Sequence, residues 1–185
     1  TQRSYGRNLK RIENGMGGWV SNHITRTTTL GIETAALVAS GFWLSLTAGR
    51  FVSAMIGSRI QSSNILLFSL FGVLSGSLLY LAGIGSPVFT IAAVLITGFF
   101  YGPVYPVVMS LVTNIYRVDT GKATSVVAAM GSMGGMIIPW LQGISIASFG
   151  SVSNGWFAVG GGALMIILFS VSLVSIKKTR LKYVS

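Results

Sequence analysis

The sequence predicts an all-α protein, a polytopic bundle of transmembrane helices with five full spans and a partial sixth. Composition carries part of this prediction: hydrophobic residues make up 51% of the 185 residues and charged residues only 9%, far from the balance of a water-soluble domain. Charge placement carries the rest, since Ile60 to Tyr116 is a run of 57 uncharged residues and Ala123 to Ile176 is a run of 54. At about 20 residues per crossing, each run is long enough for two transmembrane helices.

The first two spans are apolar segments bounded by polar or turn-forming residues. The first covers about residues 33–57 and is interrupted only by Arg50. The second covers about residues 64–84. It ends in the sequence Gly-Ile-Gly-Ser-Pro at 83–87, and this combination of glycine and proline is typical of a chain reversal.

The remaining three spans are separated by a charged connector and an uncharged loop. The third continues from the turn to about Tyr116, where charged residues end the apolar run. The fourth and fifth spans cover about residues 123–149 and 156–176. The chain therefore divides into three parts: a basic N-terminal segment (1–11), the helix bundle (12–176) and a basic cytoplasmic tail (177–185).

The distribution of basic residues orients the bundle, because short cytoplasmic loops carry an excess of Lys and Arg. Arg59 follows the first span, Arg117 and Lys122 follow the third, and the basic tail follows the fifth. The loops after the second and fourth spans carry no charge. The C-terminus is therefore predicted to be cytoplasmic.

The basic segment 1–11 conflicts with a bundle of only five spans, because it would then lie on the outer side. A preceding helix removes the conflict, with residues 12–20 as its outer half. The segment 12–24 is too short to cross, since its 13 residues reach only about 20 Å at 1.5 Å per residue against a core of about 30 Å. We expect this first helix to be cut short and the chain to be part of a longer protein.

Residue types that support catalysis or metal binding are scarce. The chain has no cysteine, and this excludes disulfides and thiolate metal sites. It has one histidine, His23. The spans contain neither a carboxylate pair nor a nucleophile motif, so we expect no enzyme activity, no cofactor and no metal. The net charge of +10 is interpreted as an orientation signal and an attraction to the lipid bilayer, with no nucleic acid partner.

Glycine and proline predict where helices pack and bend. Two GxxxG motifs, 72–76 and 98–102, are typical of helices that approach closely in a bilayer. Pro103 and Pro106 lie near the middle of the third span and each frees a carbonyl one turn earlier, so they predict a break. Pro139 predicts a second break in the fourth span. Such kinks either shape packing alone or line a water-filled cavity, and the sequence leaves both interpretations open.

Aromatic and amide side chains near the predicted midplane are candidates for binding a solute. Rings stack on apolar faces and amides bind hydroxyl groups, which suits a neutral, hydroxylated solute such as a sugar. Each ring taken alone also fits helix packing or an interfacial belt. The candidates are Asn14, Trp19, Phe42, Trp43, Tyr101, Tyr105, Trp140 and Gln142.

Two charged residues are candidates for coupling or gating. Arg50 is the only charge well inside an apolar segment, and ionisable residues in such positions are typically functional. Its side chain can also extend to the cytoplasmic interface, and we favour a structural or gating role over solute contact. Glu13 is the one acid suited to proton coupling if its helix is complete, and a solvated glutamate is the equal alternative.

Four stretches together resemble the C-terminal half of a major facilitator superfamily transporter, most closely the fucose permease-like sugar transporters. Residues 42–50 resemble the eighth helix of that group, and 98–106, with its Gly-Pro-x-x-Pro kink, resembles the tenth. The glycine-rich stretch 131–143 is similar to the eleventh helix and is the most specific match, while 13–19 resembles the outer half of the seventh. The loop 57–63 departs from the family pattern, because it lacks the acidic residue and the basic cluster of the loop signature.

The resemblance implies transport of a small sugar by alternating access, along a path between two six-helix halves. If transport is coupled to an ion, the resemblance favours proton symport over sodium coupling. The N-terminal half would be missing from this chain. The wall contributed by the chain would include Tyr101, Tyr105, Trp140 and Gln142. A membrane-embedded interaction or assembly protein without transport activity of its own is the alternative interpretation.

Overall fold

The computed structural model describes residues 32–150 and 153–182, and within these ranges it is entirely α-helical. Its helices are α1 (Ile32–Ile56), α2 (Ser62–Ala82), α3 (Pro87–Tyr101), α4 (Val104–Ile115), α5 (Thr120–Phe149) and α6 (Ser153–Lys182). Helices α3 and α4 are the two halves of one broken span, so the described residues contain five segments long and apolar enough to cross a membrane. The predicted all-α fold and its five spans are confirmed. The predicted partial helix, with Glu13, Asn14 and Trp19, lies outside the described residues.

The two uncharged loops reverse the chain at glycines with positive φ. Gly85, between α2 and α3, has φ +91°, and Gly150, after α5, has φ +80°. This left-handed region favours glycine, because a residue without a Cβ adopts a positive φ without steric strain. Pro87 begins α3, a position where the missing N–H of proline would have no helical partner. The predicted turn at 83–87 is thus observed.

Helix α3 lies between α1 and α2. On one side, Val94 of α3 packs with Ala35 and Val38 of α1. A second cluster joins α2 to α4, where Leu66 and Leu70 pack with Val107. Helix α6 covers this second cluster, so α2 contacts α3, α4 and α6.

The first GxxxG motif packs α2 against α3. A Cβ at Gly72 would fall on the ring of Phe100, and one at Gly76 would collide with the Thr97 side chain and lie 3.1 Å from its backbone nitrogen. The two helices approach this closely because both positions are glycine. The motif therefore packs helices, as the sequence predicts.

Helix α5 differs from the other helices because none of its residues is buried. It contacts α4 and α6. It also runs without interruption through Pro139, where the sequence predicts a second break. A single proline removes one helical hydrogen bond, whereas the third span combines two prolines with a glycine. At the other end of the chain, α6 continues to Lys182, so residues 177–182 extend a helix.

Candidate functional site

The break between α3 and α4 lies at the middle of its span. Tyr101 has fourteen residues on each side within the 29-residue segment Pro87–Ile115. Gly102 (φ −52°, ψ −50°) and Pro103 (φ −67°, ψ −23°) both keep right-handed helical dihedral angles. The chain therefore continues in one direction across the membrane, and what the break changes is the pattern of backbone hydrogen bonds.

The two prolines leave two carbonyl groups without their helical donors. A helical N–H donates to the carbonyl four residues earlier, so Pro103 leaves the oxygen of Phe99 free and Pro106 leaves the oxygen of Gly102 free. Two flanking bonds are intact, since the N–H of Gly102 donates to the Gly98 carbonyl at 3.1 Å and that of Val107 to the Pro103 carbonyl at 3.0 Å. A free carbonyl in the hydrocarbon region is tolerated only where it faces protein or water.

Both free carbonyls face α1. The Phe99 oxygen occupies the place that a Cβ of Gly49 would need, so the two backbones touch there. The Gly102 oxygen accepts a hydrogen bond from Nε of Arg50 at 3.3 Å. On this side the kink is packed against protein, and consecutive residues of α1 meet the two free groups.

The second GxxxG motif makes this approach possible. A Cβ at Gly98 would lie 2.8 Å from the carbonyl oxygen of Phe42, and one at Gly102 would overlap the carbonyl oxygen of Leu46. Larger residues at these positions would hold α1 and α3 apart. Gly49 was not among the predicted site residues. The role of Gly49 can be predicted from sequence only by noting that Pro103 leaves the Phe99 carbonyl without a donor, so that a neighbouring helix has to approach it closely.

The aromatic pair on α1 has one packed and one exposed member. Phe42 is partly buried against α3, with Cδ2 2.9 Å from the place a Gly98 Cβ would occupy. Trp43 contacts it edge to face, with ring centroids 5.6 Å apart, and is 54% exposed. Phe42 therefore contributes mainly to helix packing, whereas about half of the Trp43 surface stays exposed near the middle of α1.

Two exposed tyrosines flank the break. Tyr101 is 42% exposed and Tyr105 is 49% exposed. The ring of Tyr105 reaches α5, where it lies 3.8 Å from the position of a Cβ on Gly131. The structure thus brings the broken span together with the glycine-rich part of α5, and two phenol groups lie next to this junction.

The candidates on α5 lie further along that helix. Trp140 is 65% exposed and Gln142 is half-buried. Trp140 is nine residues from Gly131, about 14 Å at 1.5 Å per residue. Within the described ranges no ring contact joins Trp140 to Tyr101 or Tyr105. Trp140 therefore does not stack on either tyrosine.

Charged groups are almost absent from the site. The described residues contain no cluster of three His, Cys, Asp or Glu side chains that could hold a metal ion. Their one ion pair joins Lys122 Nζ to Asp119 Oδ1 at 3.0 Å, and it lies exposed at the start of α5. The site therefore offers hydroxyl groups, aromatic rings and one guanidinium group to a ligand.

Comparison with known proteins identifies the family. The model of the Major Facilitator Superfamily matches residues 13–182. A relative from Danio rerio, major facilitator superfamily domain-containing protein 4B, is 32% identical over 114 residues, which are 60% of this chain and 21% of the relative. No solved structure is significantly similar to the chain.

Two bacterial relatives match a larger part of their own length. The glucose/mannose transporter GlcP of Bacillus subtilis is 26% identical over 114 residues, covering 62% of this chain and 28% of the relative. Protein TsgA of Shigella flexneri is 24% identical over 166 residues, covering 87% of this chain and 40% of the relative. The chain thus spans well under half the length of these three relatives. Because the family model covers nearly all of it, the chain belongs to the Major Facilitator Superfamily.

Proposed function

We propose that this chain forms one wall of a secondary transporter that moves a small neutral solute, a sugar, across a membrane by alternating access. The observation that carries the proposal is the break at Gly102 and Pro103, with exposed Tyr101 and Tyr105 at the middle of a membrane span. Broken helices at the midplane are a recurrent way to place polar groups at a transport site. Membership of the Major Facilitator Superfamily supports solute transport as the role of this break.

A sugar fits the chemistry of this surface better than a charged solute. Tyrosine hydroxyl groups donate and accept hydrogen bonds, and the ring of Trp43 can stack on the apolar face of a sugar ring. No carboxylate lies within the described spans apart from Glu33 at the start of α1. The name of one relative, the glucose/mannose transporter GlcP, supports the same class of solute. A fucose permease-like specificity is one form of this proposal.

The rest of the site belongs to parts of the protein that the structure does not describe. We assign Asn14 and Trp19 to the same wall and Glu13 to proton coupling, as in a sugar symporter. The opposite wall would come from an N-terminal six-helix half. The uncovered surface of α5 faces that half in this proposal, with Trp140 and Gln142 further along it. The cytoplasmic position of the C-terminus is likewise part of the proposal.

Uptake of labelled hexoses into vesicles tests the proposal. Tyr105→Ala removes a ring and a hydroxyl at the break, and a lost contact of about 1.4 kcal/mol corresponds to roughly a tenfold lower uptake. Tyr116→Ala is the matched control, because Tyr116 is similarly exposed but follows the end of α4. Equal uptake by the two variants, at equal amounts of protein in the membrane, would contradict a role for Tyr105.

The same measurement separates transport from the alternative of an assembly protein without transport activity. Vesicles with the protein should accumulate at least one hexose faster than vesicles without it. An absence of uptake for every solute tested, together with stable association with another membrane protein, would favour the assembly interpretation.

A further inference from the structure

The Gly102 carbonyl is a polar group in the middle of a membrane span with a donor from a different helix. Pro106 has no N–H to offer it, so the regular helical bond is impossible. Nε of Arg50 lies 3.3 Å from the oxygen. A carbonyl left unpaired in hydrocarbon is strongly unfavourable, so this contact has a large effect on the local structure.

The backbone of α1 holds Arg50 in place for this contact. The nitrogen of Arg50 lies 3.1 Å from the position a Cβ of Gly102 would take, so the two residues touch through their backbones. Ser53 Oγ donates to the carbonyl oxygen of Arg50 at 2.8 Å and is buried. The backbone of Arg50 therefore lies close to the break, so its side chain has only a short distance to span.

Arg50 also has no competing acidic partner in the part of the chain that the structure describes. The single ion pair found there is Lys122 with Asp119, at the start of α5. A guanidinium group has five N–H donors, so one bond to Gly102 leaves others available to lipid or water. The contact with the carbonyl is the specific interaction that the geometry supports.

We propose that Arg50 is a positioning residue that holds α1 against the broken span by donating to the carbonyl that Pro106 leaves free. Arginine and proline then act as a pair, since the proline creates the acceptor and the arginine satisfies it. Without the arginine, the carbonyl has to find another donor and the angle between α3 and α4 is no longer fixed. Tyr101 and Tyr105 lie on either side of Gly102, so the pair also orients them. Only this last link to solute binding rests on the proposed function.

Spin-label distances across the break test the pair without any transport measurement. The chain has no cysteine, so cysteines introduced at Val88 and Ile115 are its only labelling sites. Both positions are exposed and lie near opposite ends of the span. They are 27 residues apart, about 40 Å along a straight helix, so a change of bend alters the distance.

The expected result is a narrow distance distribution that Arg50→Met broadens and Arg50→Lys partly restores. Pro106→Ala supplies an N–H that donates to Gly102 as in a regular helix. In that background Arg50→Met should leave the distribution unchanged, because the carbonyl no longer needs the arginine. Arg59→Met is the matched control, since it removes a positive charge from the loop after α1 without affecting the break.

A non-additive effect of the two substitutions supports the proposal. The proposal is overturned if Arg50→Met leaves the distribution unchanged in the original background, or broadens it equally when residue 106 is alanine. If the single variant does not accumulate in the membrane, the amount of folded protein becomes the measurement. Recovery of that amount by Pro106→Ala then supports the pair, and failure to recover contradicts it.

Discussion

The broken span formed by α3 and α4 and the helix α5 both contain glycine near their centres, but they differ in how closely those glycines approach the backbone of another helix. A Cβ at Gly98 would meet the backbone of α1, whereas one at Gly134 would meet only Ile138 of its own helix at 3.8 Å. In a bilayer, glycine stabilises a helix pair by letting backbones approach. The glycines of the broken span already perform this role. Gly134 of α5 has no neighbouring helix against it within the described residues.

The largest predicted difference is between a methyl group added where α1 contacts the broken span and a methyl group added on α5. Gly49→Ala puts a Cβ onto the Phe99 carbonyl oxygen at the α1–α3 contact. Because a backbone group has to move, we expect a loss of stability of about 3 kcal/mol or more and little folded protein in the membrane. The measurement is thermal unfolding in detergent.

Gly134→Ala is the matched control on α5. It meets no other helix within 4 Å, and alanine favours a helix over glycine by up to about 1 kcal/mol. We expect unchanged or slightly higher stability in the described chain. Similar losses for the two variants would show that α5 is packed as tightly as the contact between α1 and α3.

A smaller difference is expected for large apolar side chains. Leu70→Ala on α2 leaves a cavity in the cluster shared with α4 and α6. Lipid is as apolar as leucine, so the loss is mainly packing, and we expect about 1–2 kcal/mol. Met136→Ala on the exposed surface of α5 should change stability by less than about 0.5 kcal/mol. A greater loss for Met136→Ala would mean that this surface is already covered.

The smallest effect concerns the ion pair at the start of α5. Lys122→Ala breaks its contact with Asp119, and both side chains are exposed. Exposed pairs three residues apart contribute only about 0.3–0.5 kcal/mol, and less in high salt. Unfolding at two salt concentrations measures this. A loss above about 1 kcal/mol would show that the pair has a role beyond its own helix.

The main features of the fold were predictable from sequence because they depend on local composition. Spans follow from apolar runs of about 20 residues, and the break follows from two prolines three residues apart beside a glycine. The effect of Pro139 does not follow from the sequence in the same way, since the loss of one backbone hydrogen bond does not decide whether a helix ends. The structure shows that α5 continues.

The contacts of the candidate site were less predictable because they join residues far apart in the chain. Arg50 and Gly102 are 52 positions apart, and no local pattern specifies that they meet. Likewise, the sequence groups Phe42 with Trp43 as an aromatic pair. Only the packing of α1 on α3 shows that the first is partly buried and the second is exposed.

Labelling of a cysteine next to Tyr105 tests directly for a solute site at the broken span. Gly131→Cys adds a side chain at ordinary contact distance from the Tyr105 ring, and Ile167→Cys on the exposed surface of α6 is the control. In a protein that also carries the proposed N-terminal half, a water-soluble maleimide should react at position 131 and not at 167, and a transported hexose should slow the reaction. An unreactive Gly131→Cys, or a rate that no hexose changes, would contradict a solute site at the broken span.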